Sequence, residues 1–212
     1  MSISETRPEY NRGNLNDGRA GADPFVLFRT WLDEALHADY VVPTAMTLAT
    51  AGPDGRPSAR TVLLKEFDEG GFVFYTNYGS RKGRELAANP RAALLFFWDR
   101  LERQVHVEGT VRKIPRDQAE TYFHSRPRES QLGAVASDQS RVIESRGVLE
   151  EKFREAERRY RETEVPMPPD WGGYRMGPEV IEFWQGRANR LHDRLRYTRR
   201  NDAAWKVERL AP

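Results

Sequence analysis

Hydrophobic and polar residues first form a regular pattern at Asp23. From there aromatic and aliphatic side chains recur at helical spacing, after an aspartate that can cap a helix and a proline that can open one: Asp23, Pro24, Phe25, Phe28, Trp31, Leu32 and Leu36. This pattern predicts an amphipathic helix that covers a core. Residues 1–22 contain three glycines and few aliphatic residues, a composition that alone favours a disordered tail.

From Ala45 onward, short apolar runs alternate with turn residues. The predicted strands cover 46–51, 58–67, 72–76, 92–98 and 104–112, and a short helix covers 80–88. Residues 115–164 are predicted to be mainly helical, and strands return at 174–183, 192–197 and 205–210. About seven antiparallel strands that close on themselves, with helices outside, predict an α+β fold, a mixed β-barrel with flanking helices.

Composition narrows the class of protein. The chain has 212 residues, with 38% hydrophobic and 11% aromatic residues, enough for one domain over 23–212 preceded by an arm over 1–22. A net charge of +2 gives no signal for nucleic acid. Cysteine is absent and no window approaches 18 apolar residues, so we expect a cytoplasmic protein without a membrane segment.

Two groups of polar residues predict separate anion sites. In the first, Arg81 and Lys82 follow Ser80 at the start of a predicted helix, where free backbone N–H groups favour a phosphate. The nearby strand carries Arg60 and Lys65, which strict alternation would place on opposite faces unless a bulge or strand edge intervenes.

The second predicted anion site is built from Tyr122, Arg126 and Ser130, which are spaced four residues apart. No dinucleotide-binding glycine motif and no P-loop occurs. Two phosphate-sized sites therefore fit a flavin mononucleotide together with a small phosphorylated substrate. The four histidines are never three or four residues apart, so we expect no protein-bound metal.

The stretch 182–197 holds four arginines, a tryptophan, a glutamine and a histidine. That is more polar chemistry than a turn needs, although His192 alone would more often be structural. Within this stretch Arg187 and Arg196 are interpreted as ordinary surface charge.

A family resemblance joins these motifs. Pro43-Thr44-Ala45-Met46, Arg60 to Lys65, Tyr75-Thr76-Asn77, Gly79-Ser80-Arg81-Lys82, Glu102 to Val105, Tyr122 to Pro127, Phe183 to Gly186 and Arg190 to Arg194 closely resemble pyridoxamine (pyridoxine) 5'-phosphate oxidases. The similarity runs from about Arg7 to Pro212, with every motif in order. One departure is Val42, where many members carry an acidic residue.

The resemblance implies an FMN-binding split barrel and a homodimer with active sites at the interface. The implied FMN residues are Arg60, Thr61, Val62, Leu63, Leu64, Lys65, Tyr75, Thr76, Arg81, Lys82, Gln104, Gln139, Ser140, Trp184 and Arg194. The implied substrate residues are Arg7, Tyr10, Lys65, Tyr122, Arg126, Ser130, Arg190, Leu191 and His192. Arg7 and Tyr10 would belong to a lid, which replaces the tail interpretation of the arm.

The implied reaction is oxidation at C4' of pyridoxamine 5'-phosphate or pyridoxine 5'-phosphate. Hydride would pass to flavin N5, pyridoxal 5'-phosphate would form, and O2 would reoxidise the flavin to give H2O2, with ammonia leaving from the amine. Arg190 and His192 are the implied catalytic residues: Arg190 would clamp the pyridine, and His192 would orient or accept a proton from the C4' substituent. Arg194 would stabilise negative charge at the flavin N1–C2 edge.

Two alternatives share the fold. A phenazine-biosynthesis flavin oxidase resembles the C-terminal motif, but such proteins typically lack both the lysine at Lys65 and the Tyr122 to Pro127 segment. A non-enzymatic flavin- or heme-binding split-barrel protein would have no use for the substrate-phosphate residues.

Overall fold

The computed structural model describes residues 9–16 and 21–212. Within these residues, five α-helices and nine strands follow one another in this order: α1 (Pro24–Leu36), β1 (Ala45–Ala51), β2 (Pro57–Leu63), β3 (Glu66–Asp68), β4 (Gly71–Asn77), α2 (Arg81–Ala88), β5 (Arg91–Trp98), β6 (Arg103–Lys113), α3 (Arg116–Ser125), α4 (Arg128–Ala136), α5 (Arg146–Arg159), β7 (Trp171–Gln185), β8 (Asp193–Arg199) and β9 (Trp205–Leu210). In the described residues no helix has the length and apolar character of a membrane span.

The strands form one antiparallel sheet, which has the order β2-β1-β5-β6-β7-β4-β3. β7 is its longest strand, with 15 residues. Along one edge β7 pairs with β6, and along the other edge its first half pairs with β4 and its second half with β8. β9 then pairs with β8. The α+β expectation is confirmed, and so is the antiparallel pairing of the strands.

An aromatic core lies between the sheet and α1. Phe28 is fully buried in α1 and packs edge to face against Phe72 and Phe96, at centroid distances of 4.9 Å and 5.1 Å. Asp23 caps this helix, since its carboxylate accepts the N–H of Phe25. The capped amphipathic helix that the sequence predicts is therefore confirmed. Burial of several aromatic rings is a large hydrophobic contribution to stability.

The predicted strand 58–67 is wrong as a single element. The structure divides it into β2 and β3, because Leu64 and Lys65 leave the β1 pairing. The N–H of Leu64 still donates to Thr44, whereas the N–H of Lys65 donates to Val73 on β4. The chain therefore changes partners between these two residues. The prediction of about seven strands was also low, since the described residues form nine, one of which arises from this division. β7 also begins earlier than predicted, at Trp171.

Candidate active site

A cavity of about 660 Å³ opens between the sheet and helices α3 and α4. Most of the residues that were predicted to bind two phosphates line it together: Arg60, Thr61, Val62, Leu63, Lys65, Tyr75, Thr76, Lys82, Tyr122, Arg126, Ser130 and Gln139. The partner change at Leu64 has a direct consequence here. It lets Arg60 and Lys65 face the same cavity, although strict strand alternation would separate them.

Lys82 lies at the floor of this cavity and is buried, with 9% of its surface exposed. Its ammonium group donates to Gln139 Oε1 at 2.8 Å and to Thr76 Oγ1 at 3.1 Å. In the described part of the chain no carboxylate pairs with it. Burial, and then the charge of Arg60, lower the pKa of Lys82 to about 8. A buried cation held only by neutral groups is suited to an anionic ligand.

Glu85 on α2 organises the neighbouring arginines. Its carboxylate accepts from Arg60 Nη2 at 3.1 Å and from Arg81 Nε at 2.8 Å, and hydroxyl groups of Thr50 and Ser58 donate to it at 2.6 Å each. Burial alone would raise the pKa of Glu85, but these hydrogen bonds outweigh burial and lower it to about 2. The two arginines are thus fixed by one acidic residue that the sequence did not reveal.

Arg126 supplies the second cationic group of the cavity. Its Nη2 donates to the carbonyl of Ser130 at 2.9 Å, and its guanidinium lies 4.9 Å from the ring centroid of Trp171. Its Nη1 is buried and has no hydrogen-bond partner among the described residues. Burial lowers the pKa of Arg126. An unsatisfied buried guanidinium nitrogen is costly without a ligand, so we infer that Nη1 is directed at an anion.

Three stacked rings form one wall of the cavity. The Tyr75 ring is 3.9 Å from that of Tyr122 and 5.3 Å from that of Trp171, with interplanar angles of 19° and 12°, and the Tyr122 and Trp171 rings are 6.2 Å apart. Burial is the main reason why the pKa of Tyr75 is raised to about 12, so its hydroxyl stays protonated. Trp171 was missed from the sequence. Its signal was a lone tryptophan before two glycines, Gly172 and Gly173, after a proline-rich stretch.

A second cluster forms at the opposite end of β7. The rings of Trp184 and His192 are 4.7 Å apart, and Tyr10 of the N-terminal arm packs edge to face against each of them at 5.5 Å. Gly186 makes this packing possible, since a Cβ there would lie 2.7 Å from the Tyr10 ring. The structure therefore places Tyr10 beside His192, as the lid interpretation expects, while Arg7 lies outside the described residues.

The arm is tied down by several hydrogen bonds. The N–H of Arg12 donates to the carboxylate of Glu102 at 2.9 Å, and that of Leu15 donates to Asp193 at 3.1 Å. Arg187 Nη1 donates to the carbonyl of Gly13 at 3.2 Å. The interpretation of Arg187 as surface charge is therefore wrong, because this residue holds the arm beside His192.

His192 has a defined hydrogen-bonding state. Its Nδ1 lies 3.1 Å from the backbone N–H of Arg187, so Nδ1 is the acceptor and the proton of the neutral ring is on Nε2. Burial, and then the charge of Arg190, lower the pKa of His192, which favours this neutral form. The geometry therefore suits His192 to donating a hydrogen bond from Nε2 rather than to accepting a proton there.

Asn189 and Arg190 both have positive φ angles, of 55° and 61°. Neither is glycine, so the turn between β7 and β8 is strained. Such strain is common at functional sites. Arg190 and Leu191 are exposed at this turn.

One chain does not bring the two clusters together. Trp171 and Trp184 lie near the two ends of β7, a strand whose 15 residues span about 45 Å at about 3.3 Å per residue. The predicted residues that do not line the cavity are Tyr10, Leu64, Arg81, Gln104, Ser140, Trp184, Arg190, Leu191, His192 and Arg194. Leu64 is buried in the core, and Gln104, Trp184 and Arg194 sit side by side across β6, β7 and β8.

Comparisons with known proteins address the family. Residues 32–160 match the model of pyridoxamine 5'-phosphate oxidase, and residues 171–212 match that of the pyridoxine 5'-phosphate oxidase C-terminal dimerisation region. The chain is 59% identical over 210 residues to the pyridoxine/pyridoxamine 5'-phosphate oxidase of Rubrobacter xylanophilus, covering 99% of this chain and 96% of that protein. It is 56% identical over 212 residues to that of Gloeothece citriformis, covering 100% and 99%.

Solved structures show the same fold. PhzG from Burkholderia lata 383, in complex with tetrahydrophenazine-1-carboxylic acid, superposes with a TM-score of 0.87 at 32% identity and covers 93% of this chain and 98% of that chain. A pyridoxamine 5'-phosphate oxidase-related, FMN-binding protein from Nostoc punctiforme superposes with a TM-score of 0.70 at 19% identity, covering 87% and 97%. With the matched family model over 32–160, these findings show that the chain belongs to the pyridoxamine 5'-phosphate oxidase family.

Proposed function

We propose that this chain oxidises pyridoxamine 5'-phosphate and pyridoxine 5'-phosphate to pyridoxal 5'-phosphate, with FMN as its flavin and O2 as the electron acceptor. The products would include H2O2 and, from the amine, ammonia. The observation that carries this proposal is one cavity in which two cationic groups, the buried Lys82 and the half-buried Arg126, are neutralised by no carboxylate in the described residues. One group suits the phosphate of the flavin, and the other suits that of the substrate.

The residues of the cavity fit FMN in their donor chemistry. Lys82 and Arg60 line the cavity, and Arg81 lies outside its lining at the start of α2, where backbone N–H groups also favour a phosphate. When bound, the flavin would supply the hydride-accepting chemistry. Arg126, Tyr122, Ser130 and Lys65 would hold the substrate phosphate and thereby position C4'.

His192 and Arg190 would act on the substrate ring. The protonated Nε2 of His192 would donate a hydrogen bond to the C4' substituent and orient it. Arg190 would lie against the pyridine, and the docked Tyr10 would exclude water from this side. A neutral His192 does not compete with the substrate amine for a proton, which suits oxidation of both vitamers.

The active site would require a homodimer. The two clusters lie at opposite ends of β7 in one chain, whereas a two-fold arrangement can place the second cluster of one subunit at the cavity of its partner. The match of residues 171–212 to a dimerisation region supports this assembly. Phe97 and Leu63 lie on the outer face of the sheet and are 57% and 37% exposed, so this face offers apolar area for the second copy.

A phenazine-type oxidase is the second candidate, because PhzG superposes closely on this chain. The unsatisfied Nη1 of Arg126 argues against it, since a substrate that carries only a carboxylate would not need the whole group of Lys65, Tyr122, Arg126 and Ser130.

An anaerobic titration tests the proposed function directly. The purified protein, loaded with FMN, should lose its flavin absorbance near 450 nm on addition of either phosphorylated vitamer, and air should restore it. Pyridoxine without the phosphate serves as the control and should bleach the flavin far more slowly. Bleaching by neither phosphorylated vitamer would refute the proposal.

The pKa of Lys82 predicts how FMN affinity depends on pH. In the protein without ligand this pKa is about 8, and a bound phosphate would raise it. Binding would then take up a proton above about pH 8, so the affinity should fall by up to about tenfold per pH unit there. Quenching of FMN fluorescence between about pH 7 and pH 9 measures this dependence.

The matched variant is Lys82→Arg, whose side chain remains charged throughout this pH range. It should remove most of the pH dependence. Riboflavin, which lacks the phosphate, should show little dependence with either protein. An unchanged slope in Lys82→Arg would mean that another group titrates.

A further inference from the structure

Three hydrogen bonds within the chain hold the guanidinium group of Arg194. Its Nε donates to Glu182 Oε1 at 2.8 Å, its Nη2 donates to Glu182 Oε2 at 3.1 Å, and its Nη1 donates to the carbonyl of Ala211 at 3.0 Å. The carboxylate side chain is only 13% exposed and that of the arginine is 31% exposed. All three guanidinium nitrogens are therefore engaged, and two N–H groups remain free.

Glu182 does not pair with the arginine that lies directly opposite it in the strand register. Glu182 on β7 stands directly opposite Arg196 on β8, while Arg194 stands opposite Trp184. Arg196 instead pairs with Glu208 on β9, which is its direct neighbour, at 3.1 Å. Both carboxylate oxygens of Glu182 thus accept hydrogen bonds from Arg194, its diagonal neighbour. Arg196, which lies directly opposite Glu182, is instead paired with Glu208. Such two-point pairs fix a guanidinium in orientation as well as position.

The C-terminus completes this arrangement. Arg194 stands opposite Leu210 at the end of β9, so the last strand carries Ala211 to the third nitrogen. The hydrogen bonds that Arg194 donates to Glu182 also raise the pKa of Arg194, which keeps the guanidinium charged at every working pH. Arg194 is therefore always positively charged, and its charge is paired with the carboxylate of Glu182.

We propose that Glu182, with the carbonyl of Ala211, is a positioning residue that presents Arg194 to the flavin as a fixed and nearly neutral ion pair, and thereby sets the flavin reduction potential. This inference rests on the proposed function and on the place that the family resemblance implies for Arg194, at the flavin N1–C2 edge; since Arg194 does not line the cavity of its own chain, that flavin would be the one in the cavity of the partner subunit. It revises the simpler expectation that Arg194 acts as a free positive charge. Because the Glu182 carboxylate is paired directly with Arg194, its negative charge would offset part of the stabilisation that Arg194 would give to a reduced, negatively charged flavin.

The test is the substitution Glu182→Gln, which keeps the shape and one acceptor oxygen but removes the charge. The dissociation constant of oxidised FMN should change little, whereas the affinity for the reduced form should rise about tenfold. For a two-electron couple this corresponds to a potential that is about 30 mV more positive. Spectrophotometric titration against a reference dye measures the potential, and fluorescence quenching measures the dissociation constant.

Glu179→Gln is the matched control, because it removes the same charge from another ion pair of β7, that of Glu179 with Arg91, which does not involve Glu182, Arg194 or Arg196. It should leave the potential close to that of the unmodified protein. Glu182→Ala removes both the charge and the orientation, so FMN affinity should fall as well. Thermal unfolding of the flavin-free variants shows whether each one folds.

The outcomes separate the two proposals. An unchanged potential in a folded Glu182→Gln protein that binds FMN would overturn the role of Glu182 and leave the proposed function intact. A potential that moves equally in Glu179→Gln would also overturn it, since general surface charge would then be the cause. Failure of the unmodified protein to bind FMN would instead refute the proposed function.

Discussion

Mixing two inactive variants should restore about a quarter of the unmodified activity. One variant carries Lys65→Met and Arg126→Met at the cavity, and the other carries Arg190→Met and His192→Asn at the opposite end of β7. Each of their own dimers has two defective sites. In a mixed dimer one site combines both defects and the other is intact, and random exchange makes about half of all dimers mixed.

This recovery follows from the separation of the two clusters along β7. Co-expression with two different affinity tags isolates the mixed dimer, which should have about half the activity of the unmodified dimer. The chosen substitutions leave Lys82, Glu85 and Arg194 in place, so that FMN is retained and can be counted by its absorbance.

Two cavity-end variants provide the control. A mixed dimer of Arg126→Met and Lys65→Met subunits has one defect at each cavity, so mixing should give no gain over the two parents. The contradicting outcome concerns the mixed dimer of the cavity variant with the Arg190→Met, His192→Asn variant. If this dimer is fully loaded with FMN and remains inactive, each chain must build its own complete site, and the assignment of the active site to the interface fails.

Arg126→Met should lower kcat/KM for pyridoxine 5'-phosphate by about 100-fold or more. The guanidinium contributes a charge-assisted hydrogen bond from the buried Nη1, and loss of such a bond to a phosphate costs about 3 kcal/mol. Most of the loss should appear in KM, because the phosphate is bound equally before and during the reaction. Steady-state oxygen uptake measures both constants.

Two comparisons make this prediction specific. With unphosphorylated pyridoxine the same substitution should have little effect, so the preference for the phosphorylated substrate should shrink by about the same 100-fold. FMN affinity should remain close to that of the unmodified protein, because Lys82 rather than Arg126 is assigned to the flavin. An equal loss for both substrates would show that Arg126 supports the local fold through its contacts with the Trp171 and Phe123 rings.

Local sequence patterns predicted where helices and strands lie better than they predicted which strands pair with one another. The capped α1, the α2 start at Ser80 and the β5 and β6 strands all follow from spacing and turn residues. The break at Leu64 could not be predicted in this way, because it arises when Lys65 exchanges β1 for β4, a neighbour 8 residues further along the chain at Val73. Strand alternation holds only while the partner stays the same.

The candidate site shows the same division. The spacing of Tyr122, Arg126 and Ser130 predicted an anion site, and the structure does bring these residues into one cavity. Glu85 and Glu182 were not predicted, since an acidic residue that fixes arginines from another element has no local signature. Arg187 was misjudged for a related reason: its partner, the carbonyl of Gly13, lies 174 residues away in the chain.

β7 also fixes the distance between the two clusters of one chain. In the proposed homodimer its two ends would carry residues of different active sites, and three strands hold it in register over most of its length. Inserting two residues would preserve the inward and outward alternation, and so would spare the core. It would nevertheless displace one cluster from the other by about 7 Å, more than twice the length of a hydrogen bond. In the proposed homodimer, the length of this strand would therefore determine, together with its side chains, whether the two clusters meet at one active site.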